Sequence, residues 1–315
     1  MNRRHFIVGT GLLASAAGMA MSGNSGTASA VGIREGRLLQ IDGRTVHAVQ
    51  EGSGPDVILI HGASGNLRDM TFSLAPRLAR TFRVTAFDRP GLGFSEPLHR
   101  EAETPIEQAQ HLAKAASQLG ISKAVIVGHS YGGAVALAWG LERPDQAAAL
   151  VSLAGAAMPW PGDLGAWYGF ASSTIGGGLL VPVLSRLTPD SFVDNAVKDV
   201  FAPDAVPDGY AAFLGRDLAL NSKILVKNAR QVGSLKPQLA EMQARYPALD
   251  MPLEIVHGIE DDTVPLDVHS IPLSKAAPHA RLLKLPGHGH MIHHAAEDDV
   301  AAAITSAAGR AGLRG

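Results

Sequence analysis

Six short apolar runs, spaced so that helical patterns fit between them, constrain the fold of this chain more than any other feature. They are Val57–Ile60, Val84–Phe87, Ala124–Val127, Leu150–Leu153, Leu253–Val256 and Leu282–Leu285. Several are rich in Val and Ile and lack apolar–polar alternation, as strands covered on both faces do. Helical patterns occupy Leu67–Ala79, Pro105–Leu119, Gly132–Arg143 and, after the last run, Asp298–Ala308. Ahead of the series, Leu38–Ile41 and Arg44–Gln50 flank Asp42-Gly43, a dipeptide that favours a tight hairpin turn. A hairpin followed by strand–helix alternation predicts an α/β fold, with a mostly parallel, eight-stranded type of sheet flanked by helices.

One interval breaks the rhythm. Between about 156 and 246 no strand-like run of the same quality occurs. The stretch instead carries Trp160, Trp167, Tyr168 and Phe170, a Gly176-Gly177-Gly178 patch, and helical patterns near Asp194–Val200, Tyr210–Ala219 and Ser222–Val232. It reads as a mainly helical cap over the carboxyl edge of the sheet, where open α/β folds bind ligands. The alternative is a set of extra helices packed at the side of the sheet. The cap reading divides the chain into a core of residues 31–155 and 247–315 and an insertion of 156–246.

The chemistry centres on one turn. Ala124–Val127 runs into Gly128-His129-Ser130-Tyr131-Gly132-Gly133 and then into a helical segment. A serine between glycines at a strand-to-helix turn is a nucleophile elbow. The turn forces the serine into a strained backbone, and bulky side chains two positions away would clash. The helix that follows points its free amides and its dipole at the site, where they favour developing negative charge.

Other segments appear in an order that resembles the α/β-hydrolase family, specifically its serine hydrolases with a cap (esterases and haloperoxidase-like relatives). His61-Gly62-Ala63-Ser64 follows a strand and resembles the family's oxyanion loop. The resemblance implies backbone N–H donors at Ala63 and Tyr131, with His61, Gly62 and His129 supporting the loops. Asp88-Arg89-Pro90-Gly91-Leu92-Gly93-Phe94-Ser95 resembles the family's D-x-x-G-x-G-x-S turn and is taken as structural. His257-Gly258-Ile259-Glu260-Asp261-Asp262-Thr263-Val264-Pro265 resembles the H-G-x-x-D-x-x-V-P segment, which implies Asp261 as the acid, with Asp262 as the alternative. Pro286-Gly287-His288-Gly289-His290-Met291 resembles the G-H-M loop, which implies His290 as the base, with His288 as the alternative. The chain order Ser, Asp, His is the one this fold uses. Haloalkane dehalogenases and epoxide hydrolases of the same fold share the His-Gly loop and the cap but place an aspartate at the elbow. Ser130 therefore points away from an alkyl-enzyme ester.

What the resemblance implies is a serine hydrolase that cleaves a small carboxylic ester through an acyl-enzyme, without a cofactor. A carbon–carbon bond hydrolase or a cofactor-free perhydrolase would use the same triad, and a ligand-binding protein on this fold can retain one. His288, His290, His293 and His294 form a histidine-rich stretch. Because the triad accounts for His290, no metal site is expected there.

Composition limits the partners. The formal charge is -2 with 13 histidines counted neutral, so there is no basic footprint for nucleic acid, and no acidic tail. There are no cysteines, hence no disulfide, thiol nucleophile or thiolate metal site. Residues 1–30 combine Arg3-Arg4, an apolar Gly/Ala-rich run from Phe6 to Met21, and Ala28-Ser29-Ala30. They read as a cleavable signal, and Asn2-Arg3-Arg4-His5-Phe6-Ile7 resembles a twin-arginine export signal to the periplasm. An uncleaved membrane anchor is the competing reading, and cleavage would leave no stable membrane insertion. The expected partner is a small ester-like molecule, and nothing in the sequence calls for a particular oligomeric state.

Overall fold

The computed structural model describes residues 36–162, 171–173, 177, 181, 185 and 188–313. The signal-like segment therefore lies outside the described residues, as do Trp167, Tyr168, Phe170, Gly176 and Gly178. The strands are β1 (Arg37–Ile41), β2 (Arg44–Gly52), β3 (Asp56–Ile60), β4 (Arg83–Phe87), β5 (Ala124–His129), β6 (Ala147–Leu153), β7 (Leu253–Gly258) and β8 (Ala280–Leu285). They form one eight-stranded sheet in the order β1-β2-β4-β3-β5-β6-β7-β8. The β1–β2 and β2–β4 pairs are antiparallel and all others are parallel. The Asp42-Gly43 turn closes the opening hairpin with φ of 50° and 74°, the left-handed pair that matches strand twist.

Both faces of the central strands are covered, which explains the missing alternation there, whereas the edge strand β8 leaves Leu283 exposed. Ile58 and Ile60 of β3 and Ile126 of β5 enter one core cluster; Val57, Leu59, Val125 and Val127 enter the other. The first face is covered by α3 (Pro105–Gln118) and α4 (Tyr131–Glu142); the second by α1 (Leu67–Thr71), α2 (Leu74–Leu78) and a C-terminal helix, Glu297–Arg310. Thr104 caps α3 by accepting from the Glu107 amide at 3.0 Å, while Glu107 accepts from the Thr104 amide at 2.7 Å. With Pro105 in the first turn this is a capping box.

The predicted helix Leu67–Ala79 is two helices, α1 and α2, because Ser73 leaves helical geometry between them. Pro76 explains the break: an unbroken helix would need its missing N–H, whereas the first turn of α2 does not. The strand β6 begins at Ala147, three residues before Leu150, where three alanines give no strand signal.

Between β6 and β7 the described helices are α5 (Asp190–Phe201), α6 (Tyr210–Leu214), α7 (Arg216–Ala219) and α8 (Ser222–Gln243). The predicted run Tyr210–Ala219 splits at Gly215, whose φ is 87°. The helix α8 continues past Val232 through Pro237, and Leu235, Leu239 and Met242 anchor it in the first core cluster. Tertiary burial of that stripe outweighs the hydrogen bond that Pro237 cannot make. A short helix α9 (Ser270–Ala276) between β7 and β8 has no counterpart among the sequence expectations. The chain ends with α10 (Ile292–Ala295) and α11 (Glu297–Arg310). Among the described residues no helix is long and apolar enough to cross a membrane.

Candidate active site

The glycines around Ser130 are dictated by backbone contact. A Cβ at Gly128 would lie 2.0 Å from the Gly132 carbonyl oxygen, and a Cβ at Gly132 would lie 2.3 Å from that of Ile60. Both obstacles are main chain and cannot rotate away. Gly128→Ala is therefore expected to cost about 3 kcal/mol or more, read as a lowered denaturant midpoint. Wild-type stability in that variant would refute the packing argument. Ser130 itself has φ 53° and ψ -119°, in a region that side chains rarely adopt, and it heads α4. Its amide donates to Leu153 O at 3.0 Å and its carbonyl accepts from Ala156 N at 3.0 Å. The strain is thus held by main-chain bonds to β6 and the loop beyond it.

The loop expected to hold an oxyanion is fixed from two sides. The Gly62 carbonyl accepts from His61 Nδ1 at 2.9 Å and from Arg89 Nη2 at 3.1 Å. Because a peptide unit is planar, two donors on that oxygen also aim the Ala63 N–H, which points the other way. From above, Asn228 of α8 accepts from the Ser64 amide at 2.7 Å and donates to Ser64 Oγ at 3.0 Å. Among the described residues the amides of Ala63 and Tyr131 have no acceptor.

Arg89 is fully buried. It donates to Gln108 and to Gln231, both at 3.0 Å, and its guanidinium lies 4.2 Å from the centroid of the Tyr131 ring. Burial lowers its pKa to about 10, although the group stays cationic. Burial likewise pushes the Tyr131 phenol well above its ordinary range, so it remains neutral. The D-x-x-G-x-G-x-S turn is structural: Asp88 accepts from His47 Nδ1 at 2.7 Å, Leu67 N at 2.7 Å and Phe94 N at 2.9 Å.

His61 accepts from the Arg89 amide through Nε2 at 3.0 Å, so its proton sits on Nδ1 and the ring is neutral. Burial, with the Arg89 charge adding to it, lowers its pKa from 6.5 to about 4. His269, which accepts from the Ala157 and Met158 amides through Nδ1 at 3.2 and 3.1 Å, is likewise lowered to about 4 by burial. Each folded-state pKa lies below the unfolded value, so the stabilisation is complete above about pH 6.5 and declines as pH falls toward 4. Unfolding is expected to become easier by about 2 kcal/mol per histidine between pH 7.5 and pH 5. Urea midpoints that hold or rise over that interval would contradict this.

The structure brings Asp261 and His290 together. His290 Nδ1 lies 2.8 Å from Asp261 Oδ2, with both side chains buried. The other carboxylate oxygen, Oδ1, accepts from the Thr263 and Val264 amides, both at 2.9 Å. Burial alone would raise the Asp261 carboxyl, but the charge and hydrogen bonds of His290 and His257 override it and hold the group well below the ordinary range. His257 Nε2, 3.1 Å from Asp261 Oδ2 and 2.7 Å from Val264 O, is a partner that motif reading passed over. The signal was available, because His257 opens the segment in which the acid is expected.

The alternatives lie elsewhere. Asp262 is exposed, and His288 Nδ1 meets Asp204 Oδ1 at 2.8 Å, before α6. Among the described residues no hydrogen bond joins Ser130 Oγ to His290; such links commonly close only with substrate in place.

His129 donates through Nε2 to the His290 carbonyl at 3.1 Å, tying the elbow to the loop that carries His290. Asp69, which sequence reasoning did not single out, is buried on α1 and faces His293 and His294 at 3.1 and 2.9 Å. Asp69, His129 and His293 are a group whose donor atoms lie within 4.8 Å of one another, so these residues could hold a metal ion.

An eight-stranded, mostly parallel sheet with a strained serine at the β5–α4 turn defines an α/β hydrolase. The chain belongs to the alpha/beta hydrolase fold family, whose model matches residues 55–296. It is similar to haloalkane dehalogenase 2 of Mycobacterium bovis, 26% identical over 276 residues, covering 82% of this chain and 90% of the relative. It is also 26% identical over 255 residues to 2-hydroxy-6-oxo-6-phenylhexa-2,4-dienoate hydrolase of Burkholderia cepacia, covering 78% and 84%. Among solved structures, an alpha/beta hydrolase fold protein from Burkholderia ambifaria superposes with a TM-score of 0.71 at 22% identity, covering 86% of this chain and 97% of that one. The protein is a hydrolase.

Proposed function

We propose that the protein cleaves a carboxylic ester of modest size through an acyl-enzyme on Ser130. The observation that carries this reading is the Asp261–His290 contact of 2.8 Å beside an elbow whose nucleophile is a serine. His290 Nε2 takes the Ser130 proton while Oγ bonds to the substrate carbonyl carbon. The amides of Ala63 and Tyr131 receive the oxyanion, a contribution of roughly 3–4 kcal/mol per donor in comparable sites. His290 passes its proton to the departing alkoxide. A water then loses a proton to His290 and attacks the acyl carbon, Ser130 recovers the proton, and the acid is released.

The similarity to the dienoate hydrolase favours a second reading, in which the same residues open a carbon–carbon bond next to a ketone. The deciding experiment offers the purified protein a series of p-nitrophenyl esters of increasing acyl length and, in parallel, a 2-hydroxy-6-oxo-dienoate. Turnover of the esters with the dienoate untouched is expected. Preference for the dienoate would move the assignment to the second reading. A folded protein inert to both, and not labelled by a fluorophosphonate, would overturn the serine-hydrolase proposal.

A further inference from the structure

Behind the elbow lies a cluster that ester hydrolysis does not use. Asp69 Oδ1 accepts three donors: Tyr210 Oη at 2.8 Å, His293 Nε2 at 3.1 Å and His294 Nε2 at 2.9 Å. Among the described residues no hydrogen bond reaches Oδ2, whose near neighbour is His129 Nδ1 at 3.9 Å. That nitrogen carries no proton, because His129 Nε2 is the one that donates to the His290 carbonyl. His293 turns Nε2 to the same carboxylate, so Nε2 is the nitrogen that would bind an ion there, on giving up the proton it now donates to Oδ1. His129 Nδ1 is buried without a partner. A bare lone pair beside an unbonded carboxylate oxygen is costly unless something positive or proton-donating sits between them.

We infer that Asp69, His129 and His293 form a site for one divalent transition-metal ion of the zinc class. Two imidazoles and a carboxylate are the donor set such ions prefer, whereas calcium and magnesium seek oxygen. The three donor atoms lie within 4.8 Å of one another, and bonds of about 2.0–2.1 Å would draw them to edges of about 3.3 Å. The outer contacts are already those of a metal site. His129 gives its second nitrogen to a backbone carbonyl, and Tyr210 and His294 hold the oxygen of Asp69 that the ion would leave free. Gly62 keeps room beside the cluster, since a Cβ there would come within 3.1 Å of His129 Nδ1. An ion so placed joins α1, the elbow and α10.

The competing occupant is a water that donates to Oδ2 and to His129 Nδ1. To separate them, the full chain is stripped with chelator and titrated with Zn2+ by calorimetry, then with Co2+ by visible absorption. One equivalent of Zn2+ is expected, with a raised melting temperature and the intense spectrum of four-coordinate cobalt. Asp69→Asn and His293→Gln should each weaken binding at least tenfold, and His288→Gln should leave it unchanged. The cobalt spectrum of the wild type decides the matter even if those variants fold poorly. No saturable binding, a weak six-coordinate spectrum, or full affinity in the folded variants would overturn the inference. None of these measurements reads ester turnover, so their outcome is independent of the function proposed for Ser130.

Discussion

Ser130→Ala is expected to lower kcat on a responsive p-nitrophenyl ester by roughly 10⁶-fold, with substrate affinity little changed. Residual catalysis should remain, because the amides of Ala63 and Tyr131 belong to the backbone and survive the substitution. The same position offers a second measurement. Alanine inherits the φ of 53° that the turn imposes on serine, whereas glycine adopts it at little cost. Ser130→Gly should therefore exceed Ser130→Ala in stability by about 1 kcal/mol or more. Equal stabilities would mean that the elbow is not strained, and appreciable turnover by either variant would remove Ser130 as nucleophile.

Asp261→Asn is expected to cost roughly 10⁴-fold in kcat while leaving the fold intact. The asparagine oxygen can keep the bonds from the Thr263 and Val264 amides, so the loop has no reason to move. Its nitrogen then faces His290 Nδ1 across 2.8 Å and offers a proton where the carboxylate accepted one. His290 must shift its own proton to Nε2, which can no longer receive the one from Ser130. Asp262→Asn is the matched control, since Asp262 is exposed and should leave the rate unchanged. A variant at 261 that retains most of its activity, or a large loss at 262, would reverse the assignment.

The sheet was legible because its signal is local and redundant. Val57–Ile60 and Ala124–Val127 read as buried strands before any neighbour was known, and both faces are indeed packed. The elbow was legible for a steric reason: only glycine tolerates the positions of Gly128 and Gly132. Other features depend on contacts distant in sequence. Nothing local singles out Asp69; its character comes from His293 and His294, 224 and 225 residues further on. Arg89 sat inside a motif taken as structural, and its link to Gly62 and Gln231 needs three separate segments. The length of α8 escaped because Pro237 reads as a stop signal, and burial overrode it.

That helix has a consequence for how a substrate gets in. One end of α8 is sunk in the core through Leu235, Leu239 and Met242. Along the other, Lys227 meets the fully buried Glu103 at 3.0 Å, Asn228 grips Ser64, and Gln231 reaches both Glu103 and Arg89. Swinging it aside would uncover charged groups and release the oxyanion loop together. Among the described residues, α8 is therefore a fixed wall beside Ser64 and Arg89. Amide hydrogens in the middle of α8 should accordingly exchange with solvent orders of magnitude more slowly than those of α6 and α7.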